Sequence, residues 1–94
     1  MIDIEALQAA ARLHRVQRLE LFGSAARGAV PNDYDFLVVF ESLPPLEHGR
    51  AYLALLTELQ RVLGKPVDLL ELEELRNPYF LQNIQSDRTL IYGA

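Results

Sequence analysis

Residues 21–40 read LFGSAARGAVPNDYDFLVVF, a stretch in which a glycine-bounded turn separates two apolar runs. The second run, Asp33 to Phe40, is apolar at successive positions after its acidic start, which predicts a strand in the middle of a sheet. The first run extends back to Val16 and predicts a strand from Val16 to Phe22. Between them, GSAARG predicts a short helical turn.

The flanking sequence adds helices and further strands. Apolar residues recur at helical spacing from Leu46 to Leu63, which predicts the longest helix, and Gly64 suits its C-terminal cap. The other predicted elements are a first helix capped by Asp3, a strand at Val67 to Leu72, a short helix from Asn77 to about Gln85 and an edge strand at Thr89 to Tyr92. The predicted order is α, β, short α, β, long α, β, α, β.

The chain has 94 residues, of which half are hydrophobic and 23% are charged. This length and composition predict a single folded domain over residues 1–94. A domain of this size buries a modest share of the surface of its unfolded chain. We therefore expect association with a partner.

Charge and cysteine content exclude several classes of function. Nine Lys and Arg stand against thirteen Asp and Glu, and the net charge of -4 disfavours duplex nucleic acid as the main partner. The absence of cysteine excludes a disulfide framework, a thiolate metal site and a cysteine nucleophile. The N-terminus lacks the positive charge of a signal peptide, and no apolar run has the length of a membrane span. We expect a soluble cytoplasmic protein.

The turn at GSAARG has the features of a phosphate-binding loop. Gly23 lets a ligand approach the backbone, Ser24 offers a hydroxyl, and Arg27 supplies charge to a phosphate or pairs with an acid. The spacing is not that of a Walker A loop. An ordinary glycine turn is the alternative interpretation.

Three carboxylates form the candidate metal site. Asp33 and Asp35 project from the same face at the start of a strand, because side chains alternate with a period of two. Asp68 lies in an apolar strand, where an unpaired charge is costly. If the two strands are neighbours, the three acids meet and provide oxygen ligands for two Mg²⁺ ions. Turn residues and a solvated strand end, with Asp68 satisfied by a backbone N–H or by Lys65, are the alternative.

The combination of LFGSAARG, the two acids of NDYDFLVVF and Asp68 in KPVDLLEL resembles the minimal nucleotidyltransferases of the polymerase-β-like superfamily. Their pattern is G-S, a short helix ending in R-G, D-x-D and a third Asp, and the likeness runs from about Val16 to Tyr92. Asn32 stands where the family often has Ser, and Tyr34 where a small aliphatic residue is usual. Neither departure removes a ligand. Tyr34 points away from the carboxylates and is expected to pack.

The resemblance implies an α/β (α+β) fold in which helices flank a mixed β-sheet, the polymerase-β-like palm. It also implies that Asp33, Asp35 and Asp68 bind Mg²⁺, with two ions expected, and that Gly23 and Ser24 hold the triphosphate of ATP. Arg27 matches the arginine of the motif. Small members of this family resemble antitoxins that work with a HEPN-domain protein, and some of them transfer AMP from ATP to a tyrosine of that partner.

Three functions follow as hypotheses. The first is Mg²⁺-dependent transfer of AMP to a hydroxyl of a partner protein, by the antitoxin of a HEPN toxin. The alternative is a non-catalytic antitoxin or binding module that neutralises its partner by docking alone. Nucleotidyl transfer to nucleic acid is disfavoured by the net charge. Outside the motif, His14 and His48 are expected to be ordinary surface or boundary residues, and Glu71, Glu73 and Glu74 a solvated acidic rim.

Overall fold

The computed structural model of the chain describes residues 2–27, 32–71 and 88–93, without the side chains of Ser24 and Arg27. The predicted helix at Asn77 to Gln85 lies outside these residues. The described elements are α1 (Ile4–Leu13), β1 (Val16–Phe22), a 3₁₀ turn (Gly23–Arg27), β2 (Tyr34–Phe40), α2 (Pro45–Leu63), β3 (Val67–Glu71) and β4 (Arg88–Tyr92). The bounds predicted from the sequence differ from these by no more than one residue.

The four described strands form one mixed sheet in the order β3-β2-β1-β4. Strand β1 is antiparallel to both β2 and β4, whereas β2 and β3 are parallel and α2 connects them. Parallel neighbours need such a crossover, because the chain must return to the same end of the sheet. The structure confirms the predicted mixed sheet with helices, with β2 inside it and β4 at its edge.

Helices α1 and α2 pack on one face of the sheet, which we call the helix face, and form the main core there. Leucines from both helices meet alternate residues of β1 and β2. The largest fully buried side chains are Phe36, Leu7, Leu19, Leu55, Leu59 and Val38. Removing this apolar surface from water is the main favourable contribution to folding.

The ends of the helices are defined by local hydrogen bonds. The Asp3 carboxylate accepts a hydrogen bond of 3.1 Å from the Ala6 N–H, which begins α1 as predicted. Helix α2 ends at Gly64, where φ is +67° and the N–H donates to the Gln60 carbonyl at 2.8 Å. Among the helices that the structure describes, none combines the length and the apolar character needed to cross a membrane.

The opposite face of the sheet, which we call the site face, has a different composition. Phe22 and Leu37 are buried there and pack with Leu70 in a small apolar cluster. Directly opposite residues of paired strands share a face, so the pairs Phe22 with Asp35 and Asp35 with Asp68 put two of the predicted acids on this face. The sheet therefore separates the main core from the predicted site.

The expected acidic rim of Glu71, Glu73 and Glu74 is wrong for Glu71, and Glu73 and Glu74 lie outside the described residues. Glu71 is not part of a solvated rim, because its carboxylate pairs with the His48 ring nitrogen Nε2 and only 23% of its side chain is exposed. The His48 ring also packs edge to face on Phe40, with the ring centroids 5.1 Å apart. Glu71 belongs to the helix-face register of β3, where α2 covers it, and this contact cannot be read from a strand end alone.

The packing of the core predicts that Leu55 and Leu53 of α2 contribute differently to stability. Leu55→Ala should lower the free energy of unfolding by about 2–5 kcal/mol, because it leaves a cavity where Leu55 is fully buried. Leu53→Ala is the matched control, since Leu53 is 63% exposed, and it should change stability by less than about 0.5 kcal/mol. Urea denaturation of both variants measures the difference; equal losses would contradict this packing.

Candidate active site

The three predicted carboxylates converge at one end of the sheet. Asp35 lies directly opposite Asp68 in the parallel pair of β2 and β3. Asp33 precedes β2 by one residue and is two positions from Asp35, so the pleat returns its side chain to the same side. One carboxylate oxygen from each residue lies within 4.8 Å of the others. The arrangement is an all-oxygen cluster at the sheet end.

The electrostatics of this cluster disfavour three free charges. Burial raises the pKa of the Asp35 carboxyl above its ordinary value, and the negative charges of Asp33 and Asp68 raise it further. Asp33 and Asp68 are exposed, while Asp35 is half-buried between them. A hard divalent cation with oxygen ligands relieves such repulsion. The donor set therefore fits Mg²⁺.

Gly23 brings the turn against this cluster. Its φ is +79°, and a Cβ atom at this position would lie 2.8 Å from the Asp35 carboxylate oxygen Oδ2. Both the backbone conformation and the close approach exclude larger residues without rearrangement. The side chains of Ser24 and Arg27 lie outside the described part of the chain, so their predicted roles stay predictions.

Tyr34, between the two acids, lies on the helix face. Its side chain packs against the main core, and the Lys65 ammonium nitrogen lies 5.9 Å from the centroid of its ring. Its backbone N–H donates to the Pro66 carbonyl at 3.0 Å, which fixes the start of β2 beside the start of β3. Tyr34 packs as expected, and it helps to set the register that brings the acids together.

Sequence reasoning missed an ion network on the site face. Glu20 in β1 is 5% exposed, and its carboxylate lies 2.5 Å from Arg18 Nε and 3.2 Å from Arg88 Nε. The available signal was a charged residue inside the apolar run LELF, the same signal that identified Asp68. The partner Arg88 could not be found in this way, because its strand is distant in the sequence.

Comparison with known proteins identifies the family. The model of the polymerase beta nucleotidyltransferase family matches residues 5–94. The chain belongs to this family. A Methanocaldococcus jannaschii protein proposed to be a protein adenylyltransferase is 36% identical over 83 residues, covering 84% of this chain and 78% of that protein.

Solved structures of the same fold are similar to this chain over most of its length. A toxin–antitoxin crystal structure with AMP-PNP contains a chain with a TM-score of 0.72 and 21% identity, covering 99% of this chain and 75% of that chain. A protein proposed to be a minimal nucleotidyltransferase matches with a TM-score of 0.63 and 31% identity, covering 92% and 86%. A complex of a tri-AMPylated Shewanella oneidensis HEPN toxin with its MNT antitoxin matches with a TM-score of 0.65 and 20% identity, covering 97% and 70%.

The charge cluster predicts a pH-dependent stability. In the unfolded chain the Asp35 carboxyl has its ordinary pKa of 3.8, whereas in the folded chain this pKa is raised. Above pH 3.8 the folded chain therefore keeps a proton that the unfolded chain has lost. The free energy of unfolding of the wild type should therefore fall as pH rises from 3.8 through the raised pKa. Asp35→Asn should remove this decline and be more stable than the wild type at neutral pH without metal. Urea denaturation between about pH 4 and about pH 8 tests this.

The control for this series is Asp3→Asn, which makes the same chemical change at a helix cap that asparagine also supports. It leaves Asp35 in place and should keep the decline that Asp35 causes. A variant Asp35→Asn with an unchanged pH dependence would contradict the raised pKa of Asp35.

Substitution by alanine should have opposite effects on stability at Gly23, in the turn, and at Gly49, in α2. Gly23→Ala should lower the free energy of unfolding by about 1–2 kcal/mol, because alanine is strained at positive φ and its Cβ displaces the Asp35 carboxylate. Gly49→Ala, inside α2 with no atom within 4 Å of the added Cβ, should raise it by about 0.5–1 kcal/mol. Thermal unfolding distinguishes the two, and a stabilising Gly23→Ala would contradict the turn geometry.

Proposed function

We propose that this chain is a Mg²⁺-dependent nucleotidyltransferase that transfers AMP from ATP to a hydroxyl of a partner protein. We further propose that it acts as the antitoxin of a HEPN/MNT toxin–antitoxin pair. The observation that carries the proposal is the convergence of Asp33, Asp35 and Asp68 beside the Gly23 turn, in a chain of the nucleotidyltransferase family.

The three acids are proposed to hold the metal. Asp35 and Asp68 contribute from neighbouring strands, and Asp33 contributes from the segment that enters β2. One carboxylate oxygen from each residue lies within 4.8 Å of the others, so the three can share metal ions, and we propose two. When bound, Mg²⁺ supplies positive charge that neutralises the phosphates and the leaving pyrophosphate. Exposure of Asp33 and Asp68 keeps this end of the sheet accessible to a nucleotide.

The turn is proposed to hold the triphosphate. Gly23 has no side chain between the backbone and Asp35 Oδ2, so phosphate oxygens could approach the backbone N–H groups and the acids together. Ser24 and Arg27 are assigned a hydroxyl donor and a positive charge by their places in the motif. In the transfer, the acceptor oxygen forms a bond to the α-phosphorus, the bond from that phosphorus to pyrophosphate breaks, and the hydroxyl proton is released.

A protein acceptor is favoured over a nucleic acid. The net charge of -4 repels a long phosphate backbone, which basic proteins attract. The relative at 36% identity is proposed to be a protein adenylyltransferase. Two of the structures with the same fold are toxin–antitoxin complexes, and one contains an AMPylated HEPN toxin. These observations support a HEPN toxin as the partner and acceptor.

The test is co-expression with the product of the adjacent reading frame, which the proposal expects to be a HEPN-domain protein, followed by intact mass measurement of the purified partner. With the wild type, ATP and Mg²⁺, the partner should gain the mass of one or more AMP units. Asp35→Asn should lower the rate of transfer by about a thousandfold or more, since it removes a charged ligand from the metal site. Chelation of Mg²⁺ should abolish the transfer, and Asp3→Asn should transfer at the wild-type rate.

Docking is measured in the same samples by co-purification. We expect Asp35→Asn to bind the partner, because the substitution leaves the fold intact. If wild type and Asp35→Asn neutralise the partner equally and neither adds mass, the transferase is rejected and a binding module that acts by docking alone takes its place.

A further inference from the structure

The buried charge of Glu20 has no part in the function proposed above. Within residues 2–27, 32–71 and 88–93, Glu20 is the only charged residue that is buried. Isolating a carboxylate from water is costly, and the ion pairs to Arg18 and Arg88 offset that cost. An apolar residue of similar volume usually serves stability as well as a buried ion pair does. Stability alone therefore does not explain why these ion pairs are present.

The strand register relates Arg88 to the candidate active site. Arg88 lies directly opposite Phe22, and Phe22 lies directly opposite Asp35, which faces Asp68. Opposite residues share a face, so Arg88 and the two acids lie in one row across the site face. Two strand spacings separate Arg88 from Asp35, roughly 10 Å between their Cα atoms.

The turn lies between the arginine and the acids. Gly23 follows Phe22 directly, so the turn leaves the sheet at the middle of this row, and it contacts β1, β2 and β4. A phosphate chain bound there has Asp35 on one side and Arg88 on the other. Three carboxylates and a triphosphate, which carries about four negative charges, exceed the charge of two divalent cations. The site therefore needs positive side chains as well.

We propose that Arg88, held on the site face by Glu20, binds the distal phosphates of ATP. This inference rests on the ATP site of the proposed function. The ion pair engages Arg88 through Nε, and a guanidinium has four further N–H donors on its two Nη atoms, in a planar arrangement that matches phosphate oxygens. The side chain is 31% exposed, so a ligand on the site face can reach it. Glu20 acts as a positioning residue.

Arg18 provides a matched control. It forms the same kind of ion pair with the same carboxylate, so its loss disturbs Glu20 in a comparable way. It lies four residues before Phe22, roughly 13 Å along β1 from the row that holds Arg88 and the acids. A substitution at Arg18 therefore tests the ion network without the proposed phosphate contact.

The experiment measures the dissociation constants of ATP and AMP with Mg²⁺ by calorimetric titration of the full chain. Arg88→Gln should weaken ATP binding by about tenfold or more and AMP binding by less than about twofold, because AMP lacks the distal phosphates. Arg18→Gln should change both by less than about twofold. Arg88→Lys keeps a positive charge beside Glu20 and should weaken ATP binding by about threefold, again sparing AMP.

The positioning role of Glu20 is tested by Glu20→Gln alone and combined with Arg88→Gln. Glu20→Gln should weaken ATP binding by about threefold or more and spare AMP, and the double variant should bind ATP no more weakly than Arg88→Gln. Independent, additive losses would show that Glu20 does not act through Arg88 and would overturn that part of the inference.

Three results would overturn the role of Arg88. These are wild-type ATP affinity in Arg88→Gln, an equal loss in Arg18→Gln, or an equal loss of ATP and AMP binding in Arg88→Gln. If Arg88→Gln does not fold, Arg88→Lys decides by the same comparison. A wild type that binds no ATP would reject the proposed function and this inference together, whereas ATP binding that is indifferent to Arg88 would reject only the inference.

Discussion

The in-register parallel pairing of β2 and β3 is the constraint on which the rest of this protein depends. It sets Asp35 directly opposite Asp68 and brings Asp33 to the same side, so three negative charges share one sheet end. Their mutual repulsion is an energetic cost within the fold. The pKa of the Asp35 carboxyl is raised first by burial and then by the charges of Asp33 and Asp68. The apolar core on the helix face outweighs that cost and fixes the strands rigidly enough to hold the acids together.

The two faces of the sheet have different roles: the helix face forms the core and the site face carries the charged groups. Alternate residues of each strand point to the helix face, where leucines of α1 and α2 cover them and supply most of the stability. The other residues form the site face, which carries the acids, the ion pairs of Glu20 with two arginines and a small apolar cluster. Because side chains alternate strictly along a strand, a short chain can separate core and chemistry without additional elements.

Gly23 connects the end of β1 to the cluster of acids. Its positive φ turns the chain sharply at the end of β1, and the absence of a side chain lets the turn approach the Asp35 carboxylate. The same sheet end then combines the cluster of three carboxylates, the close approach of the Gly23 backbone to Asp35 and, one strand beyond β1, the guanidinium of Arg88. Positive and negative groups are arranged in sequence along one row, which is how electrostatic sites orient a charged substrate before reaction.

The sequence by itself determined the described helices and strands, the family and which three acids converge. Helices and strands follow from local periodicity and from caps such as Asp3 and Gly64, and the combination of G-S, D-x-D and a third Asp is specific enough to indicate a nucleotidyltransferase. Only the tertiary structure decided that β3 lies in register beside β2, that Gly23 contacts Asp35, and that Glu20 holds Arg88. The reason is that local propensity acts over a few residues, whereas strand pairing and burial join residues that are far apart in the chain, and only the packed sheet sets their distances.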